Sequence, residues 1–140
     1  AGGDIRTRGR PAPGQPWRIP VRHPWREDGA YLMLAATDLA AATSGTYLRG
    51  FHVVDPRTGR GARFLRSVTV VGPDLGLADA YATAAVAMGE PGLDWLAGLS
   101  GYGCAVVAED GRGFTSPGLP TVPVADLDAS TAAQYLTPPD

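Results

Sequence analysis

The sequence predicts an α+β fold with an antiparallel sheet and a pair of helices packed on it. Two observations carry this. Short apolar or β-branched segments follow one another across brief turns, which favours antiparallel neighbours over the long crossovers of a parallel sheet. One Ala-dominated helical run then separates them from a final strand–turn–strand unit, Cys104–Ala108 and Gly113–Thr115.

The elements follow in order. Ile5 and its neighbours form a short strand that ends in the Arg-, Pro- and Gly-rich stretch from Thr7 to Gln15. In Trp17–Arg22 the residues Trp17, Ile19 and Val21 alternate with polar or imino neighbours, the period of a half-buried strand. Pro20 cannot donate to a ladder, so this strand belongs at an edge or a bulge. His23 to Gly29 is a turn, with His23 on the surface, and Tyr31–Ala35 returns as the second arm of a wide hairpin. An Ala-rich segment to Ala42 leads into a hydroxyl-rich turn, Thr43-Ser44-Gly45-Thr46-Tyr47. Phe51–Val54 is extended and stops at Asp55-Pro56-Arg57-Thr58-Gly59. Ser67–Val71 is the clearest strand, β-branched and closed by Gly72-Pro73-Asp74. Leu77 to Met88 is helical and ends at Gly89, and Leu93–Leu99 forms a second, shorter helix. Asp110-Gly111 marks the last hairpin, and from Ser116 the chain is Pro-rich with little strand or helix potential, apart from a turn of helix near Ala129–Tyr135.

Composition narrows the function classes. At 140 residues, 44% of them hydrophobic, with a net charge of -2, the chain can bury a core and is not of the disordered class. Its single cysteine, Cys104, rules out an internal disulfide and a cysteine-built zinc cluster, and its apolar flanks suit a core thiol better than a nucleophile. All 12 basic residues are Arg, Lys and Asn are absent, and Ala, Gly and Pro make up 54 residues, the mark of GC-rich coding. Residues 1–70 hold 11 Arg against 5 acids, whereas residues 71–140 hold one Arg against 9 acids. Such polarity suits either a bound anion and cation or internal charge complementarity. The arginines are not interleaved with stacking aromatics, so nucleic acid is not an expected partner.

Two clusters can carry chemistry. In His52-Val53-Val54-Asp55-Pro56-Arg57-Thr58-Gly59 a strand puts His52 and Val54 on one face, beside a sharp turn holding Asp55 and Thr58. This is either a site or a structural Asp-Pro-x-x-Gly turn with an incidental histidine. In Ala78-Asp79-Ala80-Tyr81-Ala82-Thr83 the spacing sets Asp79 and Thr83 one turn apart on a helix face. A carboxylate and a hydroxyl are the hard oxygen donors that Mg²⁺ prefers, and equally they are ordinary residues for the start and surface of a helix.

Together with Ala1-Gly2-Gly3-Asp4-Ile5-Arg6, Ala42-Thr43-Ser44-Gly45 and Ser67-Val68-Thr69-Val70, these clusters resemble, in order, the C-terminal half of the ApbE family of FAD:protein FMN transferases. The H-x-x-D-P-x-T-G block followed by A-D-A-x-A-T-A is the specific part of the match. The resemblance covers residues 1 to about 118 and leaves 119–140 as an unmatched Pro-rich tail. It implies an ApbE-like, T-fold related architecture that is incomplete as a single chain. It also implies Mg²⁺-dependent cleavage of FAD, with FMN placed on a Ser or Thr hydroxyl of an acceptor protein. In this correspondence Asp79 and Thr83 are the metal ligands and His52 assists the acceptor hydroxyl. Asp55, Thr58 and Gly59 shape the flavin pocket, and the backbone around Leu65 contacts FAD. Because the family's N-terminal half is not matched, a partner chain supplying it, or a homo-oligomer, is expected. An FAD pyrophosphatase and a non-catalytic flavin-binding or structural subunit are the alternatives. The family is often exported or anchored outside the cytoplasmic membrane, which sets the expected location.

Overall fold

The computed structural model describes residues 3–26, 29–49, 53–123 and 126–127. In chain order these form strands β1 (Ile5–Arg6), β2 (Trp17–Arg22), β3 (Ala30–Ala36) and β4 (Ala40–Gly45), then helix α1 (Thr46–Arg49). Strands β5 (Val54–Asp55), β6 (Arg60–Gly61) and β7 (Leu65–Gly72) follow, then helices α2 (Leu75–Met88) and α3 (Pro91–Ala97), and strands β8 (Gly103–Ala108) and β9 (Gly113–Thr115). The chain divides into two units, one of Ala1–Arg6 and Leu39–Leu119, the other of Thr7–Asp38 and Pro120–Asp140.

The first unit is organised by β7, whose β-branched run makes it the middle strand of a five-stranded sheet ordered β1-β4-β7-β8-β9. Every neighbouring pair is antiparallel, as the sequence predicts. Only β8 and β9 are joined by a short turn; the other neighbours are brought together across long connections, α2 and α3 lying between β7 and β8. Alternate residues send Val68 and Val70 to one face, where they join Ala42, Cys104 and Val106 in the core. Helix α2 covers that face with Ala78, Ala82, Ala85 and Val86. It starts two residues before the expected Leu77, because the Asp74 carboxylate accepts the Leu77 N–H at 2.8 Å and caps the helix from an extended backbone. It stops at Gly89, whose N–H donates to the carbonyls of Ala85 and Val86. Helix α3 likewise begins at Pro91 rather than Leu93, proline being well suited to a first helical position. Tyr81 of α2 meets Trp95 and Tyr102 edge-on, with ring centres 5.6 and 5.1 Å apart, and so ties α2 to α3 and to the approach to β8.

Residues 40–45 correct the sequence reading. They are a full strand, in register with β7 from Ala40↔Gly72 to Gly45↔Ser67, and not an Ala-rich lead into a turn. Alanine has little strand preference of its own, and pairing with β7 overrides it. Gly45 is required by contact. A Cβ there would lie 2.5 Å from the Arg66 carbonyl oxygen, a backbone atom that cannot step aside. The chain turns directly into α1, where the buried Thr46 donates its hydroxyl to Glu109 Oε1 at 2.6 Å. The second Glu109 oxygen takes Arg66 Nη1 at 3.2 Å.

In the second unit β2 and β3 form the expected hairpin, from Trp17↔Ala36 to Arg22↔Ala30 with an irregularity at Val21/Arg22. Pro20 lies on β2, which pairs with β3 alone, so among the described residues it is an edge strand, as the proline demands. The Pro-rich tail does more than the sequence predicts. Ala35 N–H donates to the Pro120 carbonyl and Val122 N–H to that of Met33, both at 2.9 Å, so residues 120–122 run along β3. The helical turn expected near 129–135 lies outside the described residues. His23 is buried, contrary to its expected surface position. Its Nδ1 accepts the Trp25 N–H at 3.2 Å and its ring stands edge-on to Trp25 and Tyr31. Burial first, and the Arg26 charge second, hold its pKa below the ordinary imidazole value.

Candidate functional site

The Asp55–Gly59 turn is built from its own sequence. The Asp55 carbonyl accepts the N–H groups of Thr58 and Gly59 at 3.2 and 2.8 Å, and Gly59, at φ +67, closes the loop into β6. The Asp55 carboxylate takes three bonds from Arg57. The backbone N–H and Nε reach Oδ1 at 2.9 and 3.2 Å, and Nη2 reaches Oδ2 at 3.1 Å. Arg57 Nη2 also donates to the Met88 carbonyl at 3.1 Å. A cation therefore sits on the carbonyl end of α2, where the helix dipole favours it, and fastens the turn to that helix. Between them lies a cavity of about 290 Å³, with Asp55, Thr58, Phe64, Ala87 and Met88 in its wall.

The Arg57 hydrogen bonds and charge hold the Asp55 carboxyl below its usual pKa of 3.8. A depressed carboxyl pKa contributes stability that is present above the unfolded value and is lost as pH falls through the folded one. The Asp55–Arg57 pair is thus intact at neutral pH, and its contribution to the turn is lost in acid as the carboxyl protonates. In Arg57→Ala the Asp55 carboxyl midpoint, followed by NMR titration, is expected to rise towards 3.8. An unchanged midpoint would contradict the assignment of Arg57 as the cause.

Asp79 and Thr83 are both exposed on α2, one turn apart as their spacing predicts. Thr83 Oγ1 lies 2.9 Å from Ser44 Oγ on β4. A carboxylate beside paired hydroxyls is a hard-oxygen donor set that fits Mg²⁺, an ion that keeps several waters and takes one or two carboxylates plus phosphate oxygens. No group of three or more His, Cys, Asp or Glu side chains converges among the described residues, so further ligands would come from carbonyls, water or a phosphate. Asp79, Thr83 and Ala87 follow one another at intervals of four along α2, and Ala87 lines the cavity at the Asp55–Gly59 turn. The helical rise puts Thr83 about 6 Å from Ala87 along the axis.

The remaining predicted site residues divide. Leu65 is fully buried, at 0% exposure, and opens β7 opposite Ala108, so its backbone is what it can offer a ligand. His52 lies outside the described residues. Sequence reasoning placed Ser44 in a family motif but missed its pairing with Thr83, and it missed the Thr46–Glu109–Arg66 cluster altogether. Neither leaves a local signal, since 39 and 63 residues separate the hydroxyl partners. Cys104 is buried, as expected of a core thiol, and burial raises its pKa against a smaller opposing effect of Ser116.

The profile of the ApbE family matches residues 1–106. The FAD:protein FMN transferase of Salmonella typhimurium is 31% identical over 138 residues, covering 89% of this chain and 39% of the relative. Two solved structures are similar as well. The ApbE protein of Thermotoga maritima matches with a TM-score of 0.75 and 33% identity over 83% of this chain and 41% of its own. The flavin transferase ApbE from Vibrio cholerae matches with a TM-score of 0.69 and 32% identity over 84% of this chain and 41% of its own. The chain spans about two fifths of the length of each. With the D-P-x-T-G turn fastened to the end of the helix that carries Asp79 and Thr83, and with the profile matched over most of its length, this chain belongs to the ApbE family.

Proposed function

We propose that this chain is part of a transferase that moves FMN from FAD to a Ser or Thr hydroxyl of a target protein, with Mg²⁺ as its metal. The observation that carries this reading is the exposed Asp79–Thr83 pair on the helix whose carbonyl end holds the Asp55–Gly59 turn. Because the chain spans about two fifths of its relatives, the remaining contacts to FAD are assigned to the segment that corresponds to their other half, on a partner chain or a second copy.

In the reaction the acceptor oxygen forms a bond to the FMN phosphorus, the bond from that phosphorus to the bridging oxygen breaks, and AMP leaves with that oxygen. The Asp79 carboxylate and the Thr83 hydroxyl would hold Mg²⁺, which supplies charge neutralisation to the pyrophosphate when bound. Asp55, tied down by Arg57, keeps the turn of Thr58 and Gly59 in one shape as the wall of the flavin pocket. His52 takes the proton from the acceptor hydroxyl, raising its nucleophilicity. Leu65 contributes backbone and not its side chain.

A second reading has one observation in its favour. Asp79 and Thr83 are solvent-exposed in this chain, so water can replace the hydroxyl and make the activity that of an FAD pyrophosphatase. Incubation with FAD, Mg²⁺ and a peptide bearing a candidate Ser or Thr, with and without the complementary half, separates the readings by mass spectrometry. A peptide carrying one FMN as a phosphoester, with AMP released, is the expected result. Free FMN and AMP with unmodified peptide would establish hydrolysis. No product under any condition would leave a non-catalytic flavin-binding or structural subunit.

A further inference from the structure

We propose that Ser44 is a positioning residue for the metal ligand Thr83, acting as the acceptor of its hydroxyl proton; this rests on the metal reading of Asp79 and Thr83 given above. A threonine hydroxyl has one proton and two lone pairs. When a lone pair is given to a cation, the proton turns away from the cation and needs an acceptor on the far side. Ser44 Oγ is within hydrogen-bond distance of Thr83 Oγ1, at 2.9 Å. In the chain without a cation either oxygen can donate in this pair. A bound cation removes that freedom and makes Thr83 the donor and Ser44 the acceptor.

The placement of Ser44 supports such a role. Its cross-strand partner on β7 is Val68, whose side chain has no polar atom, and two residues before it Ala42 shares its sheet face within the apolar core. The adjacent Thr43 follows the opposite pattern, with its hydroxyl 2.8 Å from that of its register partner Thr69 on the other face of the sheet. Ser44 is thus a hydroxyl at the rim of an apolar face, directed across to α2. Gly45, which has no room for a side chain against the Arg66 carbonyl, fixes the backbone immediately after it.

The test measures metal binding directly, by the loss of the free Mn²⁺ electron paramagnetic resonance signal, in the full chain together with the complementary half and FAD. Ser44→Ala is expected to weaken Mn²⁺ binding about tenfold to a hundredfold, the usual effect of removing the group that orients a ligand, with the circular dichroism spectrum unchanged. Ser44→Thr, which keeps the acceptor oxygen, is expected to bind within about threefold of the parent. Mn²⁺ affinity within twofold of the parent in Ser44→Ala, while Asp79→Ala has lost it, would overturn the role of Ser44 and leave the metal reading standing. Undiminished affinity in Asp79→Ala and Thr83→Ala would overturn the metal reading, and the Ser44 role with it.

Discussion

Replacing Asp79 by alanine is expected to lower FMN transfer by about a thousandfold or more while leaving the fold intact. A bound cation contributes several kcal/mol to stabilising charge on phosphoryl oxygens, and each 1.36 kcal/mol is about tenfold in rate. In the proposed function Asp79 is the anionic metal ligand, so losing it would remove most of the attraction for the cation. The structural cost is small. The residue is exposed in the interior of α2, alanine is the best helix former, and exposed substitutions of this kind change stability by about 0.5 kcal/mol or less. Transfer is followed by the mass of the target peptide, and folding by the thermal midpoint. Flavinylation at the parental rate with Mg²⁺ as the only metal would refute the assignment. Thr83→Ala, which removes a neutral ligand, should show a smaller loss than Asp79→Ala.

Leu65→Ala is expected to act on folding, at a cost of about 2–5 kcal/mol, the range for deleting a fully buried leucine side chain. The resemblance puts this position beside the flavin, and the fold puts its side chain in the core with Val68 and Val106. The two statements are compatible only if the ligand meets backbone, and the variants separate them. Urea unfolding should show the large loss for Leu65→Ala and less than about 1.5 kcal/mol for Leu65→Met, which conserves volume. Parental stability in Leu65→Ala together with weakened FAD binding would show instead that the side chain serves the ligand.

What was legible in the sequence was what is local. The bounds of β2 follow from Trp17, Ile19 and Val21 alternating with polar neighbours, and the core of β7 from its β-branched run. Asp79 and Thr83 are found by counting, because four residues make about one turn. The start of α2 was obscured by Gly76 and Pro73, loop-forming residues on either side of the cap at Asp74. β4 was missed for a different reason. Ala40, Ala41 and Ala42 have no strand preference, and only the company of β7 makes them one. The same limit hides the Arg57 contact to Met88, since its acceptor is a backbone carbonyl 31 residues away that no residue type announces. It also hides the Ser44–Thr83 pair, which exists only once helix and sheet have met.

The alanines on the inner side of α2 reverse the meaning of the composition. In the sequence they count towards a base-composition bias, whereas in the fold Ala78, Ala82 and Ala85 are, with Val86, the buried side chains that α2 sets against the sheet. Interiors packed to native density have no slack, so the methyl groups act as a gauge block that sets how far α2 stands from β4. A bulkier residue at Ala82 would lift the helix and part the hydroxyls of Thr83 and Ser44 without altering either one. The dimensions of a polar site at the surface are in this way set by apolar atoms beneath it.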